Sequence, residues 1–124
     1  MSTILLVDDD RDICALLGFR LVRAGYDVRV EHDGEAGFAA AGTAAADLII
    51  LDWMMPRLSG LEVCLQLRAD ERFSHVPIVM LTAKAQEIDM QRGLAAGADD
   101  YVVKPFRSRD LLSRLEAVLT RTRG

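Results

Sequence analysis

Leu48-Ile49-Ile50-Leu51-Asp52 is a run of four large aliphatic residues closed abruptly by a carboxylate. Apolar residues at every position, rather than at every second one, suit a strand covered on both faces, as in a parallel sheet flanked by helices. Three further stretches have this form. Ile4-Leu5-Leu6-Val7 ends at Asp8-Asp9, Ile78-Val79-Met80-Leu81 ends at Thr82, and Tyr101-Val102-Val103 ends at Lys104-Pro105. Tyr26, Val28 and Val30 alternate with Asp27, Arg29 and Glu31, which predicts a strand with one wet face.

Helical patterns separate these runs. Ile13, Leu16, Leu17, Leu21 and Ala24 have amphipathic spacing, with Gly25 placed to end the helix from the left-handed conformation. Asp33 can cap an Ala-rich helix ending at Gly42, and Ser59-Gly60-Leu61-Glu62 has capping-box spacing ahead of a face made by Leu61, Cys64 and Leu65. A weaker pattern runs from Ile88 to Ala96 with Gly97 as its stop. Ser108 can cap a last helix whose stripe is Leu111, Leu112, Leu115, Val118 and Leu119. Five alternations of strand and helix predict a single α/β domain. Its five-stranded parallel sheet is doubly wound, in the flavodoxin-like order 2-1-3-4-5, with five helices distributed over both faces.

At 124 residues the chain is of single-domain size, long enough to bury about two-thirds of the surface its unfolded form exposes. The 19 acids against 15 bases leave a net charge of −4, and 13 of the acids are Asp, four of them between Asp8 and Asp12. Asp is a poor helix and strand former that favours caps, turns and sites. The acidic balance, without a Lys/Arg-dense segment, argues against nucleic-acid binding by this domain. Met1-Ser2-Thr3 leads straight into an apolar strand and then acids, so neither a signal peptide nor a membrane span is predicted. Cys14 and Cys64, far apart and without a CxxC, read as buried thiols in a reducing cytoplasm. The first strand-to-helix turn, Asp8-Asp9-Asp10-Arg11, lacks the glycines of a nucleotide loop.

In such a sheet the residues that follow strands 1, 3, 4 and 5 gather along one edge. They are Asp8 and Asp9, Asp52, Thr82 and Lys104. Three carboxylates brought together at the switch point repel one another unless a cation shares the site. An oxygen-only donor set favours Mg²⁺ over zinc. A carboxylate beside that ion is a competent nucleophile toward a phosphoryl group. Asp52, alone after its strand, is the natural acceptor, while Asp8 and Asp9 form a metal-holding pair, Lys104 supplies a fixed positive charge and Thr82 a hydroxyl. His32 and His75 are read as surface residues outside this constellation.

Leu6-Val7-Asp8-Asp9-Asp10, Leu51-Asp52-Trp53-Met54-Met55-Pro56, Met80-Leu81-Thr82-Ala83, Gly97-Ala98-Asp99-Asp100-Tyr101 and Val103-Lys104-Pro105-Phe106 resemble, in order and in spacing, the signatures of two-component response-regulator receiver domains. The resemblance covers nearly the whole of residues 1–124, read as a receiver domain that either stands alone or forms the N-terminal part of a longer regulator. It implies a cytoplasmic signalling switch, a phosphoacceptor rather than a conventional enzyme. Asp52 would take a phosphoryl group from a sensor histidine kinase or phosphotransfer protein. Asp9 and Asp52 would bind Mg²⁺ directly together with the backbone carbonyl of Met54, and Asp8 largely through water. Lys104 would pair with a phosphoryl oxygen and precede a cis peptide to Pro105. Thr82 and Tyr101 match the family's switch pair. Tyr101 is expected to turn inward on phosphorylation and to reshape the face of the fourth helix, fifth strand and fifth helix toward an effector domain or downstream protein.

Phosphorylation-dependent homodimerisation through that face would use Asp99 or Asp100 with Arg114 or Arg121, although Met90 and Ala95 stand where charges would help. Arg107, Arg109, Arg114, Arg121 and Arg123 make the tail basic, which reads as a solvated helix face and linker stub, with a partner-docking surface as the alternative. Met54 and Lys84 are poorly suited to orient a hydrolytic water, so self-dephosphorylation should be slow. A Mg²⁺-dependent phosphatase with an aspartate nucleophile is an alternative, but it leaves Asp52 unexplained. A phosphorylation-independent pseudo-receiver would be expected to lack the acceptor, the acid pair or the Lys.

Overall fold

Strands β1 (Thr3–Val7), β3 (Leu48–Asp52) and β4 (Ile78–Thr82) take up the continuous apolar runs, and every residue of β3 and β4 is buried. With β2 (Asp27–Glu31) and β5 (Asp100–Val103) they form one parallel sheet in the order β2-β1-β3-β4-β5. The computed structural model describes residues 2–83 and 86–123, without the side chains of Thr122 and Arg123. Lys84, and the side chain of Arg123 in the basic tail, thus lie outside the described residues.

Alternate residues of the same strands feed two cores. Ile4, Leu6, Leu48, Ile50, Val79 and Leu81 pack on α1 (Arg11–Arg23) and α5 (Ser108–Arg123). Leu5, Val7, Ile49, Leu51, Ile78 and Met80 face the other way, toward α2 (Gly34–Ala44), α3 (Gly60–Ala69) and α4 (Glu87–Ala95). This is the doubly wound arrangement expected from the sequence. β2 keeps one wet face, as its alternation predicts.

Local chemistry sets the helix starts. Asp10 accepts from the amides of Asp12 and Ile13, Asp33 from that of Ala36, and Ser59 and Glu62 complete a reciprocal capping box. Gly25 ends the turn after α1 at φ 100°, while α2 runs past Gly42 and is stopped by Ala45 in the left-handed region at φ 49°. Two predicted faces are turned. α1 buries Cys14, Leu17 and Leu21 and leaves Leu16 57% exposed, and α3 buries Val63, Cys64 and Leu67 and leaves Leu65 outside. Both cysteines are buried free thiols. Among the described residues, no helix is long and apolar enough to cross a membrane.

Candidate functional site

Parallel pairing aligns the carboxyl ends of the strands, so the register itself assembles the site. Val7 pairs with Leu51, Asp52 with Leu81, and Thr82 with Val103. Asp8 follows β1, Asp52 and Thr82 close β3 and β4, and Lys104 follows β5. Asp8 and Thr82 are fully buried, Asp52 is 4% exposed, and Asp9 opens to solvent. One carboxylate oxygen from each of Asp8, Asp9 and Asp52 lies within 4.8 Å of the others. The sequence placed all five residues on this edge, and the fold brings them together.

Lys104 is the counter-charge. Its Nζ stands 2.9 Å from Asp8 Oδ2 and 3.5 Å from Asp52 Oδ1. Asp8 Oδ1 also accepts from the Asp10 amide at 2.9 Å, so both oxygens of this buried carboxylate are partnered. Burial, followed by the charge of Asp8, pushes the Asp52 carboxyl up from 3.8 to about 7, and Lys104 only partly opposes this. For Lys104 burial works against the ammonium, but its hydrogen bond to Asp8 and the charges of Asp52 and Asp8 outweigh that and hold its pKa above the ordinary value. An excess of buried negative charge, offered only through oxygen atoms, fits a hard divalent cation.

The loop after β3 is locked against the site. Gly60 donates its amide to the Trp53 carbonyl at 2.9 Å, and a Cβ on Gly60 would collide with the carbonyl oxygen of Asp52. Only glycine fits there. Asp9, Trp53, Met54, Met55, Pro56 and Ser59 line a shallow depression beside the carboxylates, with Met54 exposed. The Lys104–Pro105 peptide is cis, as the resemblance implies.

Tyr101 already points inward. It is 7% exposed, and its ring meets Trp53 edge-on at 6.1 Å and 83°. The ring lies over Gly93 of α4, where a Cβ would come within 2.9 Å of it, and Arg92 stacks 5.5 Å above the indole. Burial and then the charge of Asp89 push the phenol up to about 12. On the same face Asp100 pairs with Arg114 of its own chain at 3.0 Å, and Asp99 turns to Arg68 at 2.8 Å, so both acids put forward for a homodimer contact are engaged within the chain.

Sequence reading missed one neighbour of the site. His75 is exposed as expected, but His32 is half-buried and places Nδ1 3.1 Å from the Asp8 carbonyl oxygen, while Cys14 Sγ donates to that oxygen at 3.3 Å. The available signal was positional: His32 follows β2, whose end lies on the same edge next to that of β1.

A family model for the response regulator receiver domain matches residues 4–116. The chain is 49% identical over 119 residues to the alkaline phosphatase synthesis transcriptional regulatory protein PhoP of Bacillus subtilis, covering 96% of this chain and 49% of that protein. It is 44% identical over 121 residues to the phosphate regulon transcriptional regulatory protein PhoB of Pseudomonas aeruginosa, covering 98% of this chain and 53% of the relative. The chain therefore spans about half the length of these curated relatives. Among solved structures, the chemotaxis protein CheY4 of Vibrio cholerae superimposes with a TM-score of 0.91 at 36% identity, covering 95% of this chain and 98% of that one. The strand-end carboxylates, the lysine beside them and the sheet that gathers them thus occur in a chain that belongs to the receiver domains of two-component response regulators.

Proposed function

We propose that the chain accepts a phosphoryl group on Asp52 from the phosphohistidine of a sensor histidine kinase or phosphotransfer protein, and passes the signal on as a change in its α4-β5-α5 face. The observation that carries this reading is a buried Asp52 carboxylate with Asp8 and Asp9 within 4.8 Å and Lys104 Nζ at 3.5 Å. Asp8, Asp9, Asp52 and the backbone carbonyl of Met54 would hold Mg²⁺. When bound, the ion would neutralise the carboxylates and the charge on the transferring oxygens.

In the transfer, an Asp52 carboxylate oxygen forms a bond to phosphorus as the phosphorus–nitrogen bond of the phosphohistidine breaks, and the freed ring nitrogen takes up a proton. Lys104 offsets the charge that arrives on Asp52, and Asp8 holds Lys104 in place. Thr82, at the end of β4, supplies a hydroxyl toward the new phosphoryl group. Tyr101 lies on the α4-β5-α5 face already seated inward, so the inward turn expected on phosphorylation is not the event proposed there. An effector domain, a downstream protein or a second copy would dock on that face.

Self-dephosphorylation is slow in this reading, because the exposed Met54 offers no acid, base or amide to orient water. The half-length match to PhoP and PhoB is compatible with a receiver within a longer regulator, and the match to 98% of the CheY4 chain with a receiver that stands alone. Acetyl phosphate with Mg²⁺ tests the proposal. One hydroxylamine-sensitive phosphoryl adduct, absent from Asp52→Asn and persisting beyond seconds, is expected. An adduct on Asp8, or steady turnover of phosphate esters, would overturn it.

A further inference from the structure

The peptide that joins Asp8 to Asp9 is held by side chains from two different elements. Cys14, in the first turns of α1, donates its thiol to the Asp8 carbonyl oxygen at 3.3 Å. His32, in the turn after β2, places Nδ1 3.1 Å from the same oxygen. A carbonyl only accepts, so Nδ1 carries the hydrogen, as it does both in the Nδ1–H tautomer and in the imidazolium. A thiol is a weak donor, so the imidazole is the stronger of the two tethers.

Everything else about Asp8 is also fixed. Its amide donates to the Glu31 carbonyl at 3.1 Å, extending the β1-β2 ladder by one residue, and its carboxylate is held by Asp10 and Lys104. Asp9 is different. It is exposed, and its carboxylate reaches the cluster from a backbone set by the preceding peptide. A tilt of that peptide plane changes φ of Asp9 and with it the direction of the carboxylate.

We propose that His32 is a positioning residue for cation binding: with Cys14 it fixes the Asp8–Asp9 peptide so that the Asp9 carboxylate converges with those of Asp8 and Asp52. The inference rests on the reading that this acid cluster holds Mg²⁺. Residues that orient metal ligands typically contribute about 10- to 100-fold to affinity when removed, and a tether acting through the backbone belongs at the low end of that range.

Two variants separate the tether from simple packing. Asn places an amide N–H at the same distance along the side chain as Nδ1, whereas Leu fills the volume without a donor. Mg²⁺ binding followed by calorimetry should weaken by about tenfold in His32→Leu and stay within about twofold of the parent chain in His32→Asn. In metal-free protein, the ¹⁵N shift of the Asp9 amide, which follows hydrogen bonding at the Asp8 carbonyl, should move in His32→Leu and be largely restored in His32→Asn. Unchanged Mg²⁺ affinity in His32→Leu, or equal loss in both variants, would overturn the inference. A parent chain that binds no Mg²⁺ would overturn the proposed cation site itself. The Asp9 amide shift would still show in that case whether the tether exists, and an unmoved shift would remove it.

Discussion

Asp52 sits where its ionised form is disfavoured by burial and by Asp8, with its carboxyl raised from 3.8 to about 7. Below about pH 4 the folded and unfolded chains both hold this proton. As pH rises toward 7 the unfolded chain releases it first, so metal-free stability falls across that window and levels off above it. The raised pKa corresponds to at most about 4 kcal/mol, reduced by any water that enters the site. Asp70, held low by its hydrogen bonds to Arg72, acts in the opposite sense but below pH 3.8, outside this window. Chelator-treated protein should therefore melt at lower temperature at pH 8 than at pH 5, Mg²⁺ should restore much of the loss at pH 8, and Asp52→Asn should flatten the slope. Calorimetric melts across pH check this, and an unchanged slope in the variant would assign the effect elsewhere. Lys104→Met should behave in the converse way. Removing one partner of a buried ion pair costs about 3–5 kcal/mol, and here the loss should be larger at pH 8 than at pH 5, where Asp52 can take a proton instead. Adding Asp52→Asn to Lys104→Met should recover part of the stability, as a double-mutant cycle by urea unfolding would read.

The strands were legible because each apolar run stops at a charged or hydroxyl residue, and those stopping residues are the site. The helices were legible as elements but not in their facing. Leu16, Phe19 and Val22 form a second apolar stripe on α1 that is left exposed, so periodicity alone could not decide between it and the Cys14, Leu17 and Leu21 face. Sheet position decided it. His32 carries no signal of its own in the sequence because β2 reads as a wet strand at the sheet edge, while the turn after it also reaches the Asp8 backbone. Nor could sequence show that Tyr101 is already seated inward, since this depends on the space left by Gly93 and the edge of Trp53. Gly93→Ala should push the Tyr101 ring outward, exposing it to solvent and releasing Trp53, with a changed tryptophan emission and shifted aromatic NMR signals as the readout. An unaltered spectrum would mean that α4 yields instead. At the end of α2, Ala45 adopts a left-handed conformation that costs a side-chain-bearing residue about 1–2 kcal/mol, partly offset in glycine by its freer unfolded chain. Ala45→Gly should accordingly raise the melting temperature by the equivalent of about 0.5–1 kcal/mol.

On the scale of the whole molecule, the two cores are coupled through the strands they share. Leu5 and Val7 belong to the core under α2, α3 and α4, and Ile4 and Leu6 to the core under α1 and α5. β3 and β4 divide their side chains in the same way. Neither layer can be lost while the other keeps its sheet face intact, because the same backbone carries both. The two cysteines make this testable, since Cys14 lies in one core at 4% exposure and Cys64 in the other at 0%. Burial pushes both thiols up to about 11, assisted at Cys14 by the charges of Asp8 and Asp10. At pH 8 each is therefore almost wholly protonated as well as enclosed, and labelling by a thiol reagent has to wait for an opening that exposes it. If the molecule opens as one cooperative unit, single-cysteine variants Cys14→Ala and Cys64→Ala, corrected for their own stabilities, should label with the same opening free energy. That value should match the free energy of unfolding from urea titration. Faster labelling of Cys14 alone would show that α1 and α5 lift away as a separate unit, and would locate the weak seam of the fold beside the acid cluster.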